Sequence, residues 1–191
     1  MISASLLAAG QSKRMNGENK LAKEIQGIPL IKLSVKNILA SSVNELIIVL
    51  GHQKEIIEKL IDKNEKIKFV FNKNFESGMA SSIKTGLNNL SEKTEAFFIC
   101  LGDMPMVNKK IYNHLISCRK KKDIIAPTYN NIQGNPILFS KSMKPSIMTI
   151  KGDIGAKKIL KLNKGKMLKV KMDDINITKD FNTKNDFNYN F

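Results

Sequence analysis

The chain has 191 residues and a mass of 21.5 kDa, which is enough for one substantial core but too little for two ordinary domains. Hydrophobic residues make up 42% of the sequence and charged residues 26%, so a disordered chain is excluded. No apolar run reaches the ~18 residues of a transmembrane helix, and we expect no membrane partner. We predict one domain over residues 1–191, in which residues 183–191 form a short docking helix or a frayed end.

The net charge of +15 comes from 32 basic and 17 acidic residues, and by itself it favours nucleic-acid binding. However, Arg14 and Arg119 are the only arginines, and arginine is the usual residue for recognising bases and phosphates. The absence of Trp and the presence of only three Tyr leave few platforms for stacking bases. We therefore predict a solvated, lysine-rich surface that attracts anionic substrates such as nucleoside triphosphates, and no nucleic-acid partner.

Two cysteines, Cys100 and Cys118, are too few for a disulfide scaffold, and both lie in apolar or amphipathic runs. The first residues, MISASLLAAG, lack a basic leader before their apolar stretch, which is typical of a buried strand rather than a secretion signal. These features predict a cytoplasmic protein with two reduced thiols.

Apolar runs of strand length alternate with stretches whose apolar residues recur at helical spacing. In chain order we predict strand Ile2–Ala8, helix Leu30–Ala40, strand Glu45–Leu50, helix Lys54–Ile61, strand Ile67–Phe71, helix Met79–Leu90, strand Ala96–Leu101, helix Asn108–Lys120, strands Ile124–Pro127 and Pro136–Phe139, helix Ile154–Leu162 and strand Met167–Met172. Near-continuous apolar strands such as AFFICL predict a sheet that is covered on both faces. The alternation predicts an α/β fold with a doubly wound, mostly parallel, Rossmann-like sheet.

The loop after the first strand has the composition of a phosphate-binding loop. Small residues Ala8, Ala9 and Gly10 let backbone N–H groups approach an anion, and Arg14 and Lys20 add a guanidinium fork and an ammonium charge. The loop matches neither GxxxxGK[ST] nor GxGxxG. Ligands of doubly wound sheets bind at the carboxyl ends of strands, so this loop is expected to lie at the site.

Asp103 follows the apolar strand Ala96–Leu101 after Gly102, and it is either a metal ligand or a turn carboxylate before Pro105. Magnesium sites commonly combine one or two carboxylates with substrate phosphates. Asp180 is a candidate for the second carboxylate. We predict Mg²⁺ or Mn²⁺ as the cofactor.

Residues Gly78, Ser81 and Ser82 lie at a predicted helix start, where amides and hydroxyls bind a base edge or a phosphate. Ser81 or Ser77 is alternatively the N-cap of that helix.

The acceptor side is predicted to contain residues Gly134, Asn135, Pro136 and Asp153. Asp153 is alternatively the N-cap of the helix that follows it.

Seven segments resemble, in order, those of nucleotidyltransferases of the molybdenum cofactor cytidylyltransferase type, the MobA-like family. They are LAAGQSKRM…NKL, IQGIPLI, NKNFESGMASSIKTGL, LGDMPMV, GNPILFS, GDIGAKKIL and DFNTKNDF, and they cover nearly the whole chain. The resemblance implies a nucleotidyltransferase that moves CMP from CTP to the terminal phosphate of a molybdopterin-type cofactor and releases pyrophosphate. It also implies a possible recipient molybdenum enzyme as a partner.

The resemblance assigns catalysis to Arg14, Lys20 and Asp103, and metal binding to Asp103 with Asp180, or with Asn182 in place of Asp180. Arg14 would bind the β- and γ-phosphates, and Lys20 the α-phosphate. Nucleotide-binding positions would be Leu7, Ala8, Ala9, Gly10, Arg14, Lys20, Gly78, Ser81, Ser82 and Gly102.

The base is predicted from two of these segments. LAAG together with GMASS is similar to the cytidylyl branch, whereas the guanylyl branch has LAGG, so Ala9 favours CTP over GTP. The alternatives are a related enzyme that uses GTP or another phosphate-bearing acceptor, a basic nucleic-acid-binding protein, and a non-catalytic cofactor chaperone.

Overall fold

A computed structural model describes residues 1–12, 18–153, 155–182 and 186–187. Its strands are β1 (Ile2–Ala8), β2 (Glu24–Ile25), β3 (Ile28–Pro29), β4 (Glu45–Leu50), β5 (Ile67–Phe71), β6 (Ala96–Leu101), β7 (Ile124–Tyr129), β8 (Ile132–Gln133), β9 (Ile137–Ser140) and β10 (Met167–Lys171). Its α-helices are α1 (Leu30–Leu39), α2 (Lys54–Leu60), α3 (Met79–Asn88), α4 (Lys109–Ser117), α5 (Lys144–Ile147) and α6 (Lys157–Leu162). No helix within these ranges has both the length and the apolar character needed to span a bilayer.

The main sheet has the strand order β10-β7-β9-β6-β1-β4-β5, with the short β8 paired to β7. Strand β1 pairs in parallel with both β4 and β6, and β4 pairs in parallel with β5. Strand β9 runs antiparallel to both its neighbours, β6 and β7. The chain moves outward from β1 to β4 and β5 and then returns to the other side of β1, so the strand order reverses between β1 and β6. This reversal is where ligands bind in doubly wound folds.

Both faces of the sheet are covered, as the apolar strands predicted. Helices α1, α2 and α4 pack on one face and α3, α5 and α6 on the other. Successive residues of a strand point to opposite faces, so each apolar strand contributes side chains to both layers of the core. Phe98 of β6 contacts Tyr112 of α4 edge-on, with 5.2 Å between ring centroids. Its neighbour Phe97 stacks on Phe139 of β9 with a centroid separation of 5.8 Å.

Helix α3 lies unusually close to β1, and Gly86 makes this possible. A Cβ atom at Gly86 would overlap the hydroxyl of Ser5 and would lie 3.1 Å from Cγ2 of Val49. The absence of a side chain at Gly86 therefore lets α3 pack directly against β1.

The predicted order of elements is confirmed, with differences at helix ends and in short elements. Helix α3 begins at Met79 after Gly78, so Ser81 lies inside its first turn and is not the N-cap. Helix α6 begins at Lys157, three residues after the predicted start at Ile154, which lies outside the described residues. The β2–β3 hairpin was not predicted, because its two-residue turn places Gln26 at a φ of +51°, where asparagine or aspartate is the usual signal.

Candidate active site

A cleft of about 710 Å³ opens at the carboxyl ends of β1 and β6, and we call it the switch-point cleft. Its lining residues are Leu7, Ala9, Gly10, Gln11, Ser12, Lys20, Leu21, Phe75, Glu76, Ser77, Gly78, Met79, Ser82, Leu101, Gly102, Asp103, Asp153, Asp180 and Asn182. The volume is in the range of small-molecule sites. Segments that are far apart in the chain therefore meet where the topology predicts a ligand.

Lys20 enters the cleft from a short 3₁₀ turn, Lys20–Ala22, whose start is held on two sides. The Oδ1 atom of Asn19 accepts a hydrogen bond from the backbone N–H of Leu21 at 3.1 Å. The backbone N–H of Lys20 itself donates to the Ser12 hydroxyl at 3.1 Å. Buried Leu21 anchors the turn in the core, so the lysine stem has a fixed origin.

Asp103 lies two residues beyond the end of β6, where the chain is held by backbone hydrogen bonds. The backbone N–H of Gly102 donates to the carbonyl of Leu7 at 3.1 Å, and the carbonyl of Asp103 accepts from the N–H of Phe181 at 2.9 Å. Phe181 is buried. The second contact brings the C-terminal segment 180–182 to the end of β6.

The Lys20 ammonium joins these segments. Its Nζ lies 2.5 Å from Oδ2 of Asp103 and 2.7 Å from Oδ1 of Asn182. The Lys20 and Asp103 side chains are only 19% and 18% exposed, so this ion pair is shielded more than a surface pair. Asn182 in turn donates from Nδ2 to Oδ2 of Asp180 at 2.6 Å. Two oxygen atoms from distant segments thus converge on one cationic position.

Oxygen donors are present here, but a dense acidic cluster is not. Among residues 1–12, 18–153, 155–182 and 186–187, no three His, Cys, Asp or Glu side chains are grouped so that they could hold a metal ion. A carboxylate and an amide oxygen nevertheless suit Mg²⁺ or Mn²⁺, which take most of their remaining ligands from water and substrate phosphates.

The opposite wall is the start of α3, which is held by the loop around Gly152. Gly78 has a φ of +101°, and a Cβ atom there would lie 2.7 Å from the carbonyl of Gly152. That carbonyl accepts from the N–H of Ala80 at 3.0 Å. Oδ1 of Asp153 accepts from the N–H of Met79, also at 3.0 Å. Asp153 therefore caps α3. The sequence had suggested instead that it caps the helix that follows it.

Ser82 and Ser81 face different clefts although they are neighbours. Ser82 is buried and lines the switch-point cleft. Ser81 lines a second cleft of about 680 Å³ on the outer side of α3, and its hydroxyl donates to the carbonyls of Asn74 and Gly78. The buried amide of Asn72 donates to both serine hydroxyls, at 2.8 and 3.0 Å. Asn72 begins the segment NKNFESGMASSIKTGL, but nothing in the local sequence predicts this anchoring role.

The loop after β1 combines buried and exposed positions. Ala8 is buried and does not line the cleft, Ala9 lines the cleft, and Gly10 is exposed. Nε2 of Gln11 donates to Oε1 of Glu76 at 3.2 Å and so crosses the cleft mouth, a contact that the sequence did not indicate. Arg14 lies outside the described residues.

The predicted acceptor residues Gly134, Asn135 and Pro136 lie at the same edge of the sheet, because β9 runs antiparallel to β6. The N–H of Gly134 donates to the carbonyl of Pro127, and that of Asn135 donates to the carbonyl of Ile177 at 2.8 Å. None of these three is among the residues lining the described part of the switch-point cleft. Asp153, the fourth predicted acceptor residue, does line it.

Residues 4–170 match the family model of the MobA-like NTP transferase domain. The chain is 30% identical over 151 residues to a probable molybdenum cofactor guanylyltransferase of Methanosarcina mazei, covering 76% of this chain and 66% of that protein. It is 29% identical over 140 residues to the molybdenum cofactor cytidylyltransferase of Escherichia coli, covering 73% and 70%. The chain thus spans about two thirds of these relatives' lengths.

Solved structures share the fold. The manganese complex of Rv0371c from Mycobacterium tuberculosis superimposes with a TM-score of 0.83 at 18% identity, covering 98% of this chain and 96% of that one. The central, mostly parallel sheet is that of Rossmann-like nucleotidyltransferases. The chain belongs to the family of MobA-like NTP transferase domains.

Proposed function

We propose that this protein transfers CMP from CTP to the terminal phosphate of a molybdopterin-type cofactor. The observation that carries the proposal is the meeting of Lys20, Asp103 and Asn182 at the reversal of strand order. A site of this kind offers cationic and oxygen groups where a triphosphate would lie.

The transfer needs no nucleophile from the protein, because the acceptor phosphate is already an oxyanion. An acceptor oxygen forms a bond to the α-phosphorus of CTP, the bond from that phosphorus to the β-phosphate oxygen breaks, and pyrophosphate leaves. The protein contributes positioning and charge neutralisation. We assign Lys20 to the α-phosphate, Arg14 to the β- and γ-phosphates, and the backbone around Gly10 to the phosphate cradle.

The residues present fit a divalent metal, because an existing cation, the Lys20 ammonium, already contacts both candidate oxygens. We propose that Asp103 and Asn182 hold Mg²⁺ or Mn²⁺, with Asp180 orienting the Asn182 amide. Bound metal would neutralise charge on the triphosphate. The manganese complex of Rv0371c supports a divalent ion.

CTP is proposed as the nucleotide because Ala9 lines the cleft and is only 3% exposed. Glycine at this position would let the backbone come nearer to a larger purine edge, so alanine favours the smaller pyrimidine. One relative is named a guanylyltransferase and the other a cytidylyltransferase. An enzyme that uses GTP is therefore the second candidate.

Molybdopterin-type compounds are proposed as acceptors from the names of both relatives, and a recipient molybdenum enzyme is a proposed partner. We place the acceptor at residues 134–136 and at Asp153. The free, buried thiols of Cys100 and Cys118 are consistent with a reducing cytoplasm.

The experiment is pyrophosphate release by the purified protein with Mg²⁺, a molybdopterin-type acceptor and each of the four NTPs. We expect turnover with CTP, and at least roughly tenfold lower kcat/KM with GTP, the ratio that ~1.4 kcal/mol of lost base contacts supplies. Preference for GTP would assign the protein to the guanylyl branch. Acceptor binding without pyrophosphate release for any NTP would indicate a cofactor chaperone, and affinity for arbitrary nucleic acid that falls steeply with salt would indicate a nucleic-acid-binding protein.

A further inference from the structure

We infer that the Lys20 ammonium occupies the cation position of the metal site when no nucleotide is bound, so that lysine and metal compete for the same oxygens. The inference rests on the proposed function, because it takes Asp103 and Asn182 as the metal donors. It adds an order of binding: the metal enters together with a triphosphate, whose phosphate draws the ammonium away.

The geometry is the first argument. Nζ lies 2.5 Å from Oδ2 of Asp103 and 2.7 Å from Oδ1 of Asn182, so one positive charge already bridges a carboxylate and an amide oxygen. A divalent ion bound to these oxygens would lie within a few ångströms of the ammonium, and two cations so close repel each other strongly in a partly buried site. The lysine must therefore leave before the metal binds there.

The second argument is that the backbone around the donors is held in place, whereas the lysine side chain can change its conformation. Phe181 is buried and its N–H bonds to the Asp103 carbonyl, and Asn182 is oriented by Asp180. Lys20, by contrast, is fixed at its backbone and reaches the oxygens through a flexible four-carbon stem. The same two oxygens can thus exchange one cation for another without rearrangement of the loops.

The third argument concerns where the ammonium goes. The exposed residue Gly10 and the hydroxyl of Ser12, which accepts from the Lys20 N–H, line the same cleft. A triphosphate that binds along this loop brings its own negative charge to the lysine. The ammonium then exchanges a carboxylate for a phosphate and keeps a counterion throughout.

The test is Mn²⁺ binding to the nucleotide-free protein, measured by electron paramagnetic resonance, in wild type, Lys20→Met and Lys20→Gln. We expect both variants to bind Mn²⁺ at least about tenfold more tightly than wild type, because they remove the competing charge. Lys23→Met is the matched control. It loses the same charge three residues away, where Lys23 pairs with Glu18 at 2.6 Å, and should bind Mn²⁺ as wild type does. Circular dichroism checks the folding of each variant.

Asp103→Asn, alone and combined with Lys20→Met, separates this inference from the proposed function. Equal or weaker Mn²⁺ affinity in both Lys20 variants, with binding that still depends on Asp103, would overturn the competition and leave the metal site standing. Mn²⁺ binding that is insensitive to Asp103 in every variant would overturn both. Tighter binding in the Lys20 variants that disappears with Asp103→Asn supports the inference.

Discussion

The side-chain amide of Asn182 donates a 2.6 Å hydrogen bond from Nδ2 to Oδ2 of Asp180. This contact turns the amide oxygen toward the Lys20 ammonium. The sequence offered Asp180 and Asn182 as alternative partners of Asp103. In the structure Asn182 reaches the shared cation directly, whereas exposed Asp180 reaches it through Asn182. We therefore propose that Asp180 positions the Asn182 amide.

Asp103→Asn should abolish most metal-dependent turnover while the protein stays folded. The carboxylate lies beyond the end of β6 and is 18% exposed, so its loss leaves the core intact. Removing a metal anchor should lower kcat/KM by about a hundredfold or more, as a loss of several kcal/mol of charge stabilisation requires. Pyrophosphate release at limiting Mg²⁺ measures the effect, and wild-type turnover under that condition would contradict the assignment.

Lys20→Ala should lower kcat more than it weakens nucleotide binding. The ammonium is assigned to the α-phosphate, where charge changes during transfer, so its contact should strengthen in the transition state. We expect kcat to fall by about 10²- to 10³-fold, as for loss of one oxyanion donor, and the Kd of CTP to change less than about tenfold. Lys23→Ala controls for charge. A raised KM at unchanged kcat would mean that Lys20 binds the ground state and the transition state equally, and would contradict its assigned role.

Gly86→Ala should destabilise the fold although alanine favours helix by about 1 kcal/mol. The added methyl group would overlap the hydroxyl of Ser5, and overpacking of this kind costs about 1–3 kcal/mol. Urea denaturation measures the loss. Ser5→Ala alone should be nearly neutral, because that buried hydroxyl has no hydrogen-bond partner in the described part of the chain. The double variant should recover part of the loss, and strict additivity of the two changes would contradict the contact.

Stability should decline above pH 9 in part because of Cys100. Burial raises the pKa of its thiol from 9.0 to about 12, and burial also raises the pKa of Tyr112, its hydrogen-bond partner. Between pH 9 and 12 the native state keeps a proton that the unfolded state releases, so the free energy of unfolding falls as pH rises. Its slope against pH should be less steep in Cys100→Ala, by at most ~1.4 kcal/mol per pH unit. Equal slopes for both proteins in chemical denaturation would rule this contribution out.

Periodicity and turn residues were sufficient for the long strands of the sheet, because buried strands leave uninterrupted apolar runs, and the first four predicted strands agree residue for residue. The short strand β8 was not predicted. Lys20 and Asp103 were also predictable, since each follows a strand at the edge where ligands bind. The roles of Asp153 and Asn72 were not. Both depend on contacts with α3 from other segments, Asp153 across 74 residues, and a local pattern carries no information about such a partner.

The contacts of the Lys20 ammonium with Asp103 and Asn182 also affect how the protein folds. Lys20 contacts Asp103 across 83 residues and Asn182 across 162, so these links close very long loops of chain. Long-range contacts form late, because their entropic cost is met only once local structure has brought the segments together. In refolding, the helical signal should therefore return before activity does. A chain that has formed the complete sheet but not the contacts of Lys20 with Asp103 and Asn182 would be an intermediate with native secondary structure and no activity.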